Sequence, residues 1–168
     1  MFSGLYNKRK DEILVQFAGL LAEANFTSDI VIDHHRRTPM THLSYRVDER
    51  TRRIAFYFII KKAQYFIADL SQVIRVEFIK NHEIIGYISL VDGNFGAHGT
   101  IRQVPAISSI YLDFYTNNPQ EPVSKLGLTF GTAKPESHPD IKDIVYWFHK
   151  VYASLQLVIP KYGARLNT

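Results

Sequence analysis

The stretch VIRVEF, residues 73–78, indicates most directly how this chain folds. Its two charged residues, Arg75 and Glu77, alternate with Ile74, Val76 and Phe78. Successive side chains of a β-strand point to opposite faces, so this alternation puts the charges on one face and the apolar groups on the other. That pattern is typical of an antiparallel sheet with one face against the core and one in water. We therefore predict an antiparallel strand over residues 73–79.

Similar segments lie on both sides of this strand. They are rich in aromatic and branched residues and are separated by polar breaks or turn sequences. The other predicted strands are residues 53–60, 64–68, 83–90, 107–115 and 124–130. Between them, Gly93, Gly96 and Gly99 predict a loop over residues 92–100.

Helices are predicted near both ends of the chain. Residues 10–24 and 141–155 carry apolar side chains at three- and four-residue spacing. Ser137 and Asp140 resemble a capping box at the start of the second helix, and Pro160 is expected to end it. The order of helix, strands and helix predicts an α+β fold.

Composition limits the class of protein. The chain has 168 residues, 46% of them hydrophobic, no cysteine and a formal charge of +4. It is long enough to bury a core, and without cysteine it has no disulfide or thiolate metal site. Neither a membrane-spanning apolar run nor a secretory signal pattern is found, so we expect a cytoplasmic protein.

Three segments resemble a known family. They are RVDERTRRIAF (46–56), ADLSQVIRVEFIKN (68–81) and IYLDFYTNNPQEPVSKLGLTF (110–130). Together with the final helix they are similar to the bacterial and phage pleckstrin-homology-like domains, most of which have no known function. The resemblance covers roughly residues 43–159. It implies an antiparallel β-sandwich or partly open barrel, with a C-terminal helix plugging one corner. An extra N-terminal helix precedes this fold, and we divide the chain into residues 1–40 (helix and connecting segment), 41–160 (main domain) and 161–168 (tail).

The motif Asp33-His34-His35 resembles the signature of the DHH phosphoesterases. Those enzymes hold two metals with further carboxylates and histidines from other strand ends. Only Asp11 and Asp29 precede the motif, and no Asp-x-Asp pair occurs in the chain. We therefore interpret the motif as a coincidence and expect no metal site, no catalytic residue and no cofactor.

Two groups of residues remain as candidate binding sites. Basic clusters suit an anionic ligand or a nucleic acid, because arginine binds phosphate through two parallel hydrogen bonds. The apolar stripe of the N-terminal helix either packs on its own domain or contacts a partner or a second copy. The anion-binding candidates are Arg36, Arg37, Arg50, Arg52 and Arg53, and the partner-binding candidates are Phe17, Leu20 and Leu21.

These observations predict a non-enzymatic module that docks a protein partner, either by strand pairing at a sheet edge or by holding a helix. The alternative is a protein that binds nucleic acid or an anionic ligand through the arginines. A metal-dependent phosphodiesterase is the remote alternative. The apolar stripe is also compatible with a homo-oligomer, and no membrane span is expected.

Overall fold

The computed structural model describes residues 2–36, 41–59, 63–116 and 124–164. In these ranges the chain forms two helices and two antiparallel sheets, one of four strands and one of five. The predicted α+β class is therefore confirmed. The chain divides into two compact units, Met1–Ala68 and Asp69–Thr168.

The first unit is a helix followed by a four-stranded meander. Its strands lie in the sheet in the same order as in the chain. The elements are α1 (Phe2–Glu23), β1 (Ile30–Arg36), β2 (Thr41–Asp48), β3 (Arg53–Ile59) and β4 (Ala63–Asp69). The helix begins at Phe2 rather than at the predicted residue 10, and β1 lies in the segment that was predicted to be a connection.

The apolar stripe of α1 packs on the sheet of the same unit. Phe17 and Leu21 are 5% and 8% exposed. They form a cluster with Ala55, Tyr57 and Ile59 of β3. The rings of Phe17 and Tyr57 stack with their centroids 4.7 Å apart. Of the two fates left open for the stripe, packing on its own domain is the one observed for Phe17 and Leu21.

The second unit is a five-stranded antiparallel sheet and a helix. The sheet order is β7-β6-β5-β8-β9, so β5 is the central strand. The elements are β5 (Arg75–Lys80), β6 (Glu83–Val91), β7 (Asn94–Gly99), β8 (Ile107–Tyr115), β9 (Ser124–Lys134) and α2 (Lys142–Tyr162).

Two tight turns connect β5, β6 and β7. Asn81 and His82 have φ angles of 52° and 64°, and Asp92 and Gly93 have φ angles of 52° and 81°. Two consecutive positive φ angles match the two-residue hairpin turn whose twist suits antiparallel strands. The predicted loop over residues 92–100 is wrong, because Asp92-Gly93 forms the whole turn and β7 begins at the next residue.

Helix α2 packs on one face of the five-stranded sheet. The Phe78 ring lies 5.0 Å from the Tyr152 ring, measured between centroids. A side chain at Gly86 would lie only 2.9 Å from the Tyr152 hydroxyl, so glycine at this position gives the tyrosine its room.

Both predicted ends of α2 are wrong. No side chain caps its start, where the Lys142 N–H instead donates to the His138 carbonyl at 2.9 Å. At the other end Pro160 lies inside the helix, which continues to Tyr162. Since Pro160 lies in the last turn, its missing N–H removes one bond and leaves the rest of the helix intact.

Gly127 and Gly131, both in β9, provide a matched test of the close packing between β8 and β9. A Cβ on Gly127 would overlap the Ile110 carbonyl oxygen and lie 2.7 Å from the Tyr111 Cα, whereas a Cβ on Gly131 would meet nothing within 4 Å. We expect Gly127→Ala to lower the free energy of unfolding by about 1–3 kcal/mol, because two backbones would have to separate. Gly131→Ala should leave it unchanged within about 0.5 kcal/mol. Urea unfolding of both variants checks this, and equal effects would contradict it.

Candidate functional site

Five side chains, one from each strand of the second unit, form a row across one face of the sheet. In an antiparallel sheet, residues directly opposite each other on neighbouring strands point to the same side. The register gives the row His98, Tyr87, Glu77, Asp113 and Lys125. This side is opposite to the one that carries Phe78 and contacts α2, because Glu77 and Phe78 are consecutive on β5.

Neighbouring positions complete this surface. Arg75 lies two residues before Glu77, and Tyr111 and Tyr115 lie two residues on either side of Asp113. We call the surface the polar face. It consists of Arg75, Glu77, Tyr87, His98, Tyr111, Asp113, Tyr115 and Lys125.

Arg75 organises one half of the polar face. Its guanidinium lies over the Tyr87 ring, 4.2 Å from the centroid. Tyr87 in turn stacks on His98 with the centroids 4.8 Å apart. The Arg75 Nε also donates to a Glu77 carboxylate oxygen at 2.9 Å. The ring of Tyr87 and the carboxylate of Glu77 both restrict Arg75, so this side chain is held in place before any ligand arrives.

Glu77 is satisfied by its neighbours. Arg75 donates to one of its oxygens, and the Tyr115 hydroxyl donates to the other at 2.8 Å. Burial and the Glu77 carboxylate raise the pKa of Tyr115 to about 12, so Tyr115 keeps its proton and remains a donor. Glu77 is therefore held in one position as an acceptor.

Asp113 is not satisfied in this way. It is only 5% exposed and lies directly across the strand from Glu77. Its Oδ1 is buried and accepts no hydrogen bond from any residue in the described ranges. Burial raises the pKa of Asp113, as does the Glu77 charge, while Lys125 acts in the opposite direction. The centre of the polar face thus contains a buried carboxylate oxygen that lacks a donor among the described residues.

The missing donor at the Asp113 Oδ1 should lower the stability of the free protein. We expect Asp113→Asn to raise the free energy of unfolding at pH 7 by about 1 kcal/mol, because it removes a charge that burial disfavours and whose Oδ1 has no donor to lose. Asp48 is the matched control, since it is also buried but accepts the Thr27 and Thr51 N–H groups at 2.9 and 3.1 Å. Asp48→Asn should cost about 2 kcal/mol. Urea unfolding measures both, and equal destabilisation by the two changes would contradict the assignment.

The candidate arginines do not form one surface. Arg53 is part of the packing of the first unit: it donates to the Ala24 carbonyl at 2.5 Å, lies 3.6 Å from Asp48 and covers the Phe26 ring. Arg50 and Arg52 are exposed in the same turn, with Arg52 at a φ of 58°.

Arg36 lies at the other end of the sheet from that turn. Arg36 of β1 is paired with Thr41, the first residue of β2. The turn that contains Arg50 and Arg52 lies beyond the other end of β2, after the pair of Asp48 and Arg53. Seven residues of strand separate the two places by roughly 20 Å. Arg37 lies outside the described residues. The structure therefore brings Arg50, Arg52 and Arg53 together and leaves Arg36 apart from them.

The Asp33-His34-His35 motif lies on β1, where the side chains alternate. Asp33 and His35 are exposed, while His34 is half-buried and points to the other face of the strand. Asp33 pairs with Arg46 at 3.7 Å. In the part of the chain that the structure describes, no three histidine or acidic side chains come close enough to hold a metal ion.

The stripe residues of α1 offer little surface to a partner. Phe17 and Leu21 are buried in the cluster with β3, and Leu20 is half-buried. In the described ranges no helix is long and apolar enough to cross a membrane.

A buried ionic cluster lies beneath α2. The Lys80 ammonium donates to Glu136 and to the Arg102 carbonyl, both at 2.7 Å. Glu136 also accepts the Val104 N–H, and His149 of α2 lies 3.7 Å from it. Perturbed ionisable groups often mark active sites. Here Lys80 and Glu136 are 1% and 8% exposed and satisfy each other, so the cluster ties a loop and α2 to the sheet.

This cluster makes stability depend on pH. Burial and the Lys80 charge lower the pKa of His149 from 6.5 to about 4, so between these values the unfolded chain binds a proton that the folded chain does not. Stability is therefore full above about pH 6.5 and falls toward pH 4, by about 3 kcal/mol from this group. We expect His149→Gln to lose less stability than the wild type between pH 7 and 4.5 in urea unfolding. The exposed turn variant His82→Asn should follow the wild type, and identical pH profiles for His149→Gln and wild type would refute the assignment.

Comparison of the chain with protein families, curated proteins and solved structures gives no significant match.

Proposed function

We propose that this protein is a non-enzymatic docking module that binds a protein partner on the polar face of its second unit. The observation that carries this proposal is the buried Oδ1 of Asp113, which has no hydrogen-bond donor among the described residues. An unsatisfied buried acceptor costs free energy and calls for an explanation. A donor supplied by a partner removes that cost on binding.

The chemistry around Asp113 specifies the donor. Glu77 lies directly opposite Asp113 on β5, and the exposed Lys125 lies opposite it on β9. An arginine or lysine of the partner fits this position, because it supplies the donor that the Asp113 Oδ1 lacks. The surrounding tyrosines and Arg75 are residue types that dominate binding energy at protein interfaces.

The same charges disfavour the other two functions. Phosphate would be repelled by the acids at the centre of the polar face, and the arginines of the first unit are divided between two ends of its sheet. Glu77 is occupied by Arg75 and Tyr115, which leaves Asp113 without a second free carboxylate for acid–base chemistry. Docking of a protein partner is compatible with the acids, with Arg75 and with the tyrosines of the polar face.

The pleckstrin-homology-like fold and the cytoplasmic location belong to the same proposal. Antiparallel strands followed by a C-terminal helix support the fold, and the absence of cysteine from the sequence supports the location.

A photo-cross-linking residue placed at Lys125, the exposed end of the row, tests the docking face in cells that express the protein naturally. Lys150, an exposed lysine of α2, is the matched control position. We expect a protein partner to be cross-linked from position 125 and not from position 150. Cross-linking only from position 150 would contradict the proposed face.

The purified partner then tests the chemistry. Asp113→Asn should weaken its binding at least about 30-fold, since truncating one member of a buried charge pair costs 2 kcal/mol or more. Asp140→Asn, which removes an exposed aspartate of the same unit, should bind like the wild type. Affinity should also fall as the pH falls through the raised pKa of Asp113. Equal affinities of the Asp113→Asn variant and the wild type would refute the role of Asp113.

A further inference from the structure

Two histidines of the first unit face each other across neighbouring strands. His35 of β1 and His42 of β2 are directly paired in the register. Their Nδ1 atoms are 3.3 Å apart. His35 is exposed and His42 is half-buried, so solvent and solutes reach the pair.

That distance matches the spacing of two ligands on one metal ion. A tetrahedral ion with metal–nitrogen bonds of 2.0–2.1 Å holds two ligand nitrogens about 3.3–3.4 Å apart. The strand pairing therefore already sets the separation that coordination requires. Both atoms are ring nitrogens of a type that binds metal ions.

The surroundings hold His42 in place. Its ring lies edge-on to the Tyr57 ring, with centroids 5.6 Å apart, and Tyr57 is itself stacked on Phe17. The Tyr57 hydroxyl is buried and makes no hydrogen bond to any residue that the structure describes. A water molecule or anion bound to a metal ion would give it an acceptor.

We propose that His35 and His42 bind one divalent late transition-metal ion, of the Zn²⁺ or Cu²⁺ class, through their Nδ1 atoms. Imidazole nitrogens suit these ions, which bind nitrogen sites more tightly than earlier metals of the row. The remaining coordination positions are open to water or to an external ligand. The site differs from the consecutive pair His34 and His35, whose side chains point to opposite faces of β1.

Titration of the full chain with Zn²⁺ or Cu²⁺ alone tests the site by calorimetry and by NMR of the histidine rings. One equivalent should bind, with Zn²⁺ shifting and paramagnetic Cu²⁺ broadening the ring signals of His35 and His42. His35→Gln and His42→Gln should each lower the affinity more than about tenfold, since even indirect supports of a metal ligand are worth that much. Two histidines elsewhere serve as controls, and His82→Asn and His98→Gln should bind like the wild type.

The exposed position of His35 keeps this test interpretable. His35→Gln should fold normally by circular dichroism, even if the half-buried His42 tolerates replacement less well. Unchanged affinity in a folded His35→Gln variant would overturn the proposal, as would weak binding spread over all seven histidines of the chain. Asp113→Asn should bind the metal like the wild type, so failure of the docking proposal leaves this one standing.

Discussion

The second unit depends on the strict alternation of side chains along β5, its central strand. Val76, Phe78 and Lys80 are buried on the face that contacts α2, while Arg75 and Glu77 point to the polar face. A slip of one residue in the pairing would exchange the two faces, placing charges under the helix and aromatic rings on the surface. The register of β5 with β6 and β8 thus sets both the core and the candidate site.

The same register explains why the second unit contains a buried carboxylate oxygen without a donor among the described residues. Asp113 is placed opposite Glu77 by the pairing of β5 with β8, and burial then deprives it of water without supplying a full set of donors. Asp48 of the first unit shows that this chain can satisfy a buried aspartate, because burial there is outweighed by the Thr27 and Thr51 N–H groups and the pKa of Asp48 is lowered. The contrast favours a functional reason for Asp113, since functional groups often reduce the stability of the protein that carries them.

The local pattern of the sequence predicts some of the strands and part of the polar face. Period-two alternation identifies β5, and the bounds predicted for β8, residues 107–115, are those observed. The alternation in that strand also places Tyr111, Asp113 and Tyr115 on one face. The glycines of residues 92–100 led to the prediction of a loop where β7 lies, although Asp92-Gly93 is a strong hairpin signal. Because the pairing of strands distant in sequence has no local signal, the opposition of Glu77 and Asp113 cannot be predicted from the chain alone.

In the first unit, residues that are neighbours in the sequence are separated by the fold. The adjacent residues His34 and His35 suggest a shared ligand role, but consecutive positions on a strand diverge. His35 instead meets His42, seven residues away, through the pairing of β1 with β2. Arg53 likewise pairs with the buried carboxylate of Asp48 and does not form a common anion site with the other arginines of its basic cluster. In a sheet protein, side chains that act together come from paired positions on neighbouring strands. A motif of consecutive residues on one strand has side chains that point to opposite faces.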